Sequence, residues 1–158
     1  MAYRECYDYI NEMAEAKGYS QEQVDFLKDC LEWADGDQWW YICDGLREDL
    51  DISIYADPKF DGGQMEQILL GLARKVDVSI YAKSEYDYTQ MQAIRLGLAQ
   101  GVDVSKYADP QFDDEQMWQI HIGLKDDLDV SIYADPRFDW QQMSEIRTGL
   151  EHKVDVSV

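Results

Sequence analysis

Basic residues are in short supply in this 158-residue chain. Fourteen lysines and arginines stand against 33 aspartates and glutamates, a formal net charge of −19. So negative a surface repels phosphate, which excludes nucleic acid and anionic membrane as direct partners. It points to a basic protein partner, or to solubility alone. Histidine is rarer still: His121 and His152 have no triad or metal-ligand spacing around them. Three cysteines, Cys6, Cys30 and Cys43, are odd in number and lack Cys-x-x-Cys spacing. They read as free thiols in a reducing cytoplasm, not as a disulfide frame or zinc site. No glycine-rich phosphate loop is present. Neither Asp113-Asp114-Glu115 nor Asp126-Asp127…Asp129 follows the calcium-loop pattern. These absences predict a protein that is not an enzyme and needs no cofactor. No apolar run approaches the roughly 20 residues of a membrane helix. The opening Met-Ala-Tyr-Arg-Glu-Cys-Tyr-Asp does not read as a signal peptide, so a cytoplasmic location is expected. No stretch alternates with period two long enough to make a strand.

Apolar residues make up 46% of the chain, an ordinary share, so a folded domain with one continuous core is expected despite the charge. The strongest positive signal is repetition. Four copies of a 26-residue unit run over Asp51–Val76, Asp77–Val102, Asp103–Leu128 and Asp129–Val154, and a fifth begins at Asp155. The shared text is Asp-Val-Ser-x-Tyr-Ala-Asp-Pro-x-Phe-Asp-x-x-Gln-Met-x-x-Ile-x-x-Gly-Leu. A fixed period of this length predicts an array in which each unit buries its apolar face against its neighbours.

Each unit spells a helix start. In the first copy Asp61 is the N-cap, Gln64 closes a capping box, and Phe60 with Met65 forms a hydrophobic staple. The same six-residue grammar recurs at Tyr86–Met91, Phe112–Met117 and Phe138–Met143. Met65, Ile68 and Leu72 then recur at helical spacing, which carries the helix to about Arg74, and Gly101 suits a left-handed C-cap in the next copy. Ahead of each helix lies a short 3₁₀ or α turn. In Ile52-Ser53-Ile54-Tyr55-Ala56 the expected N-cap is Ser53, and Pro58 limits the turn.

The pattern extends backwards. Asp35…Gln38-Trp39…Ile42…Gly45-Leu46 matches Asp61…Leu72 at the same 26-residue shift. Tyr19-Ser20…Gln23-Val24 is another boxed helix start, and Tyr3, Tyr7, Ile10 and Met13 make an amphipathic helix ended by Gly18. The expectation is therefore an all-α fold: an α-solenoid of four to five helix-plus-short-turn repeats over residues 50–158, with a three-helix N-terminal cap over residues 1–49. No C-terminal cap is legible, which leaves an open end available to a homo-oligomer.

Several residue columns could carry function. Glycines recur at 45, 71, 97, 123 and 149. Each costs up to about 1 kcal/mol against alanine within a helix. Close approach of a neighbouring unit's backbone is the expected reason. Aspartates form three ladders: Asp51, Asp77, Asp103, Asp129 and Asp155; Asp57, Asp109 and Asp135, interrupted by Lys83; and Asp61, Asp87, Asp113 and Asp139. The third is capping, and the first can close Asx-turns over the following serine. Charge density permits a sharper reading. Residues 51–158 carry net −10. With stacked helices about 9 Å apart, that is near one nucleic-acid strand's density. Residues 1–50, net −9, are denser. Aromatics occupy non-core columns: Trp40 with Trp118, and Tyr88 with Trp140. Leu70, Leu96 and Ile122 also face away from Met65. Helices flanked on both sides carry a wide apolar arc, so burial is the first expectation. An exposed patch for a protein partner is the second.

The text Gln-Met-x-x-Ile-Arg-x-Gly-Leu-x-x-x-Val-Asp-Val-Ser-x-Tyr-Ala at Gln90–Ala108, and in part Gln142–Ser157, resembles short helical repeats of bacterial mobile elements and phages, some beside or fused to antirestriction proteins. The resemblance covers about residues 50–158 and transfers no functional residues. It implies an accessory protein acting against host defence. With the charge, it leads to the expectation of an acidic, non-enzymatic nucleic-acid mimic, of anti-CRISPR or antirestriction type. Such a protein would block the basic nucleic-acid-binding surface of a host nuclease. The competing expectation is a protein- or peptide-binding scaffold using its aromatic columns. Candidate contacts are Trp40, Tyr88, Trp118, Trp140, Asp57, Asp103, Asp109, Asp113, Asp114, Glu115 and Asp135.

Overall fold

The computed structural model describes residues 3–152, with side chains from Glu5 onward. The Tyr3 side chain, Asp155 and the expected open end at Val154–Val158 lie outside the described residues. Every regular element among the described residues is helical, as the periodicity predicts. The chain forms two compact units, one up to Met65 and one from Glu66 onward.

The first unit holds α1 (Tyr3–Lys17), α2 (Gln21–Trp33), α3 (Gly36–Arg47), a 3₁₀ turn at Ile52–Ile54 and the start of α4 (Gly62–Ala73). Gly18, at φ +68, ends α1. Ser20 opens α2 with a reciprocal box: its Oγ accepts from Gln23 N at 3.3 Å and its amide donates to Gln23 Oε1 at 2.8 Å. Asp35 with Gln38, and Asp61 with Gln64, close the same box. The core holds Ile10, Leu27, Cys30, Ile42, Tyr55 and Phe60. Burial pushes the Cys30 thiol up to about 11 and that of Cys43, which also feels Cys6, up to about 12, so both are protonated and unreactive at neutral pH.

The second unit continues α4 into 3₁₀ turns at Val78–Ile80, Val104–Lys106 and Val130–Ile132, alternating with α5 (Tyr88–Ala99), α6 (Asp114–Lys125) and α7 (Trp140–Glu151). Helix α5 packs on α6, and α6 on α7. Met91, Ile94, Met117, Ile120 and Met143 are fully buried along the column the periodicity marks.

Two expectations are corrected. Ser53 is not the N-cap of its turn. Asp51 is: its Oδ1 accepts from Ser53 N at 3.1 Å and from Ser53 Oγ at 2.5 Å. The aspartate carboxylate reaches the amide two residues on, and the same Asx-turn recurs at Asp77, Asp103 and Asp129. The recurring glycines do not admit a neighbouring backbone either. They admit a tyrosine hydroxyl. A Cβ on Gly45, Gly71, Gly97 or Gly123 would lie 1.9–2.0 Å from the Oη of Tyr55, Tyr81, Tyr107 or Tyr133. Each hydroxyl donates to the carbonyl four residues before its glycine: Tyr41 O at 2.9 Å, Gln67 O at 3.0 Å, Ala93 O at 3.4 Å and Gln119 O at 3.2 Å. The tyrosines are fully buried. Burial drives all four phenols far above their ordinary range, so they stay protonated donors.

Each of these glycines also closes the helix end. The amides of Leu50, Val76, Val102 and Leu128 donate back to the carbonyls of Gly45, Gly71, Gly97 and Gly123 at 2.9–3.1 Å. The residue between is left-handed: Gly101 at φ +71, as expected, but Asp49, Lys75 and Asp127 at φ 54–58 in the other copies. The box glutamines have a second role that spacing alone does not reveal. While Oε1 closes the cap, Nε2 donates to the carbonyl just before the next N-cap: Gln38 to Phe60 O at 2.7 Å, Gln90 to Phe112 O and Gln116 to Phe138 O at 2.6 Å.

Candidate protein-binding face

The aspartates are largely occupied by the fold. Asp103 accepts from Ser105 N and Oγ; Asp113 caps α6 through Gln116 N at 2.7 Å. Asp57, Asp109 and Asp135 each accept from the amide two residues on, at Lys59, Gln111 and Arg137. Asp57 also pairs with Lys59, and Asp135 with Arg137. These bonds favour the ionised carboxylate: the Lys59 contacts lower Asp57, the Ser105 hydroxyl lowers Asp103, and the Arg137 guanidinium holds Asp135 down at about 2. Asp57, Asp103 and Asp135 therefore keep their charge, and Asp57, Asp109 and Asp135 have both carboxylate oxygens engaged. Asp114 and Glu115, in the first turn of α6, differ. Neither side chain has a hydrogen bond or ion pair among the described residues.

The aromatic columns are exposed, against the first expectation: Trp40 by 54%, Tyr88 by 52%, Trp118 by 41% and Trp140 by 36%. The reason is geometric. The packed neighbours cover the Met–Ile column and half-cover Leu70, Leu96 and Ile122, but leave open the first helical position, held by Tyr88 and Trp140, and the fifth, held by Trp40 and Trp118. Trp40 belongs to the first unit, where it meets Tyr41 edge-on at 4.9 Å and the Arg47 guanidinium at 6.0 Å. Tyr88, Trp118 and Trp140 belong to α5, α6 and α7 of the second unit.

Around Trp118 the structure gathers several of the candidates. A cleft of about 300 Å³ runs between α5 and α6, lined by Thr89, Gln92, Ala93, Leu96, Asp114, Glu115 and Trp118. The indole stacks on His121, centroids 4.7 Å apart and planes 15° apart. His121 Nδ1 in turn meets Tyr107 Oη at 3.1 Å. His121 is 2% exposed, and burial, reinforced by Lys125, lowers its pKa, so it is neutral at pH 7. The exposed tryptophan is thus held from behind by a buried, hydrogen-bonded ring. Asp57 lies in the first unit, and Asp103, Asp109 and Asp135 serve the connecting turns, so none of these lines the cleft.

One column escaped the sequence reading. Arg95, His121 and Arg147 occupy the same position at 26-residue spacing. Arg95 is 4% exposed; its Nε donates to Gln67 Oε1 at 3.0 Å, and its Nη1 is buried without a partner. Arg147 Nε donates to Gln119 Oε1 at 3.1 Å. Where the column reads His121, the partner position reads Ala93. The signal was present as paired variation, Gln with Arg and Ala with His.

Among the described residues no three His, Cys, Asp or Glu side chains gather as a metal site, and no helix is long and apolar enough to cross a membrane. Comparison with protein-family models, with curated proteins and with solved structures finds no match.

Proposed function

We propose that this chain is a non-enzymatic, acidic binding protein that engages a basic surface of a partner protein. The observation that carries the reading is Trp118: a large apolar ring held exposed by a buried histidine, beside two uncommitted carboxylates. Trp and Tyr are favoured interface anchors, and surrounding charge steers a basic partner. The net charge of −19 adds long-range attraction.

The repeated turn-plus-helix unit is read as an α-solenoid of four to five repeats with residues 1–49 as its cap. Small-angle scattering giving an isometric particle would overturn this. The narrower reading, an anti-CRISPR or antirestriction inhibitor occupying the nucleic-acid channel of a host defence nuclease, is carried by charge and by the repeat text. It predicts inhibition of a defined nuclease that weakens steeply with salt. A partner-binding scaffold is favoured over a pure phosphate mimic because most ladder carboxylates already serve turns and caps. Double substitution of Trp118 and Trp140 by alanine separates the two. It abolishes partner binding in the scaffold reading and barely changes it in the mimic reading. For the mimic, charge reversal belongs at Asp114 and Glu115. Reversal at Asp103 or Asp113 breaks a turn or a cap and confounds the result. Assembly through the C-terminal repeat is a further proposal, and a monomeric mass by light scattering at high concentration removes it.

A further inference from the structure

We propose that the α5–α6 cleft is an arginine-selective docking site for an extended, basic segment of a partner protein, with Trp118 as its stacking platform and Asp114 and Glu115 as its carboxylates. The inference rests on the reading of the chain as a basic-partner binder and assigns that reading an address and a residue preference.

Three observations choose this occupant. At about 300 Å³ the cleft is at the lower limit for a whole small molecule and suits one or two side chains. Its wall is a flat indole with one face already stacked on His121, which leaves the other face for a planar group. Its rim carries two carboxylates without partners, and the chain carries net −19, which disfavours a second copy of itself as occupant. A guanidinium satisfies all three conditions: it stacks flat on an indole, it pairs with carboxylates through a planar fork, and it is more weakly hydrated than an ammonium. Lysine offers charge without the plane. Toward the other end of α6 a second cleft, lined by Trp118 with Gln100, His121, Ile122, Lys125 and Asp126, already holds a lysine, so the cation belongs in the cleft beside Asp114 and Glu115.

Spacing sets the form of the segment. Packed helices lie about 8–10 Å apart, and three residues of extended chain span about 10 Å. Arginines three apart therefore place one guanidinium on Trp118 and the next toward Tyr88 or Trp140, exposed on the flanking helices. The cleft exists because position 93 is alanine. At positions 67 and 119 a glutamine fills the equivalent space and binds an arginine from the next helix.

The test uses a fluorescein-labelled, end-blocked Gly/Ser peptide with two arginines three residues apart, and its lysine counterpart. Both are titrated by anisotropy against the full chain at low and high salt. The arginine peptide is expected to bind about ten-fold tighter than the lysine peptide, the stacking and fork terms together. Trp118→Ala should lose about ten-fold, and Asp114→Asn with Glu115→Gln several-fold with a shallower salt slope. The double variant Ala93→Gln/His121→Arg restores the Gln–Arg pairing of the neighbouring copies, and so fills the cleft without emptying the core. It should fold with near-native melting and lose arginine selectivity. Equal binding of the two peptides, or full binding by Trp118→Ala, overturns the cleft. If both peptides still bind at low salt in that case, the broader acidic-binder reading survives. Absence of binding by either peptide at low salt overturns both.

Discussion

On α5, Arg95 reaches back to Gln67 and buries its guanidinium; on α6, one repeat later, His121 takes the same place, stacks on Trp118 and meets Tyr107, while the position facing it is Ala93. Around both, the frame is the same: an Asp–Gln capping box, a glycine against a tyrosine hydroxyl, a left-handed helix end. The capping box and the helix end make their hydrogen bonds without the column beside them, whereas the Tyr107 hydroxyl also meets His121, and the column varies while box and helix end do not. On one helix it holds a buried clamp, and on the next it opens a cleft and props up an exposed tryptophan. A repeat protein can thus vary its surface without touching what stacks it.

The largest expected effect breaks the shared frame. Gly71→Ala places a Cβ 1.9 Å from the Tyr81 hydroxyl, which then loses Gln67 O. Overpacking and an orphaned buried hydroxyl together should cost about 3 kcal/mol by urea unfolding. Gly97→Ala should cost less, because Tyr107 retains His121 as a partner. Equal losses at the two sites would mean that His121 does not hold that hydroxyl.

Next is the clamp. Gln67→Ala leaves the Arg95 guanidinium with no partner for Nε as well as Nη1, a loss of about 2 kcal/mol. Adding Arg95→Leu should recover most of it, since removing both members of a buried polar pair is far cheaper than removing one. A double variant no more stable than Gln67→Ala contradicts the clamp.

Smaller and opposite in sign is relief at the helix ends. Lys75 and Asp127 sit at φ 58 and 55, where Gly101 stands at φ 71 in the copy between. Lys75→Gly or Asp127→Gly should stabilise by up to about 1 kcal/mol, and Gly101→Ala should destabilise by a similar amount. Melting temperatures moving together rather than oppositely would refute the shared cap.

The smallest effect separates α6 from α5 by pH. His121 is neutral in the fold and its pKa is lowered by burial, so the unfolded chain binds a proton that the native chain resists. Stability from this source is complete above the ordinary histidine range and falls as pH drops through it toward the lowered native value. Melting followed from pH 7 to pH 5 should decline more for the native chain than for His121→Gln. Parallel curves would assign the slope elsewhere.

The helix starts were legible because staple, cap and box are local: Asp61, Gln64 and their equivalents act within one turn of their own backbone. The short turn was legible in place but not in its cap, since Asp51 and Ser53 are both capping residue types and only the geometry shows that Asp51 accepts from the Ser53 amide. The glycine column announced a close approach without saying that the visitor is the tyrosine ten residues on. Of the candidate face, Trp118, Asp114 and Glu115 come together as one group, while Asp57, Asp103, Asp113 and Asp135 prove to hold turns, caps and side-chain pairs. Arg95 passed unnoticed, and His121 was set aside for lack of triad or ligand spacing, because neither side chain has its hydrogen-bond partner nearby in the chain. Their meaning lies in a partner 28 residues away for Arg95 and 14 for His121.

The amino-acid order by itself determined the all-helical class, the period, and where each helix begins, because those depend on interactions within a few residues. Only the tertiary structure decided which carboxylates stay uncommitted, which aromatic rings remain in solvent and that a cleft opens at Ala93. Those outcomes depend on which side chains from successive repeats meet across the helix interface, and the spacing along the chain does not record that.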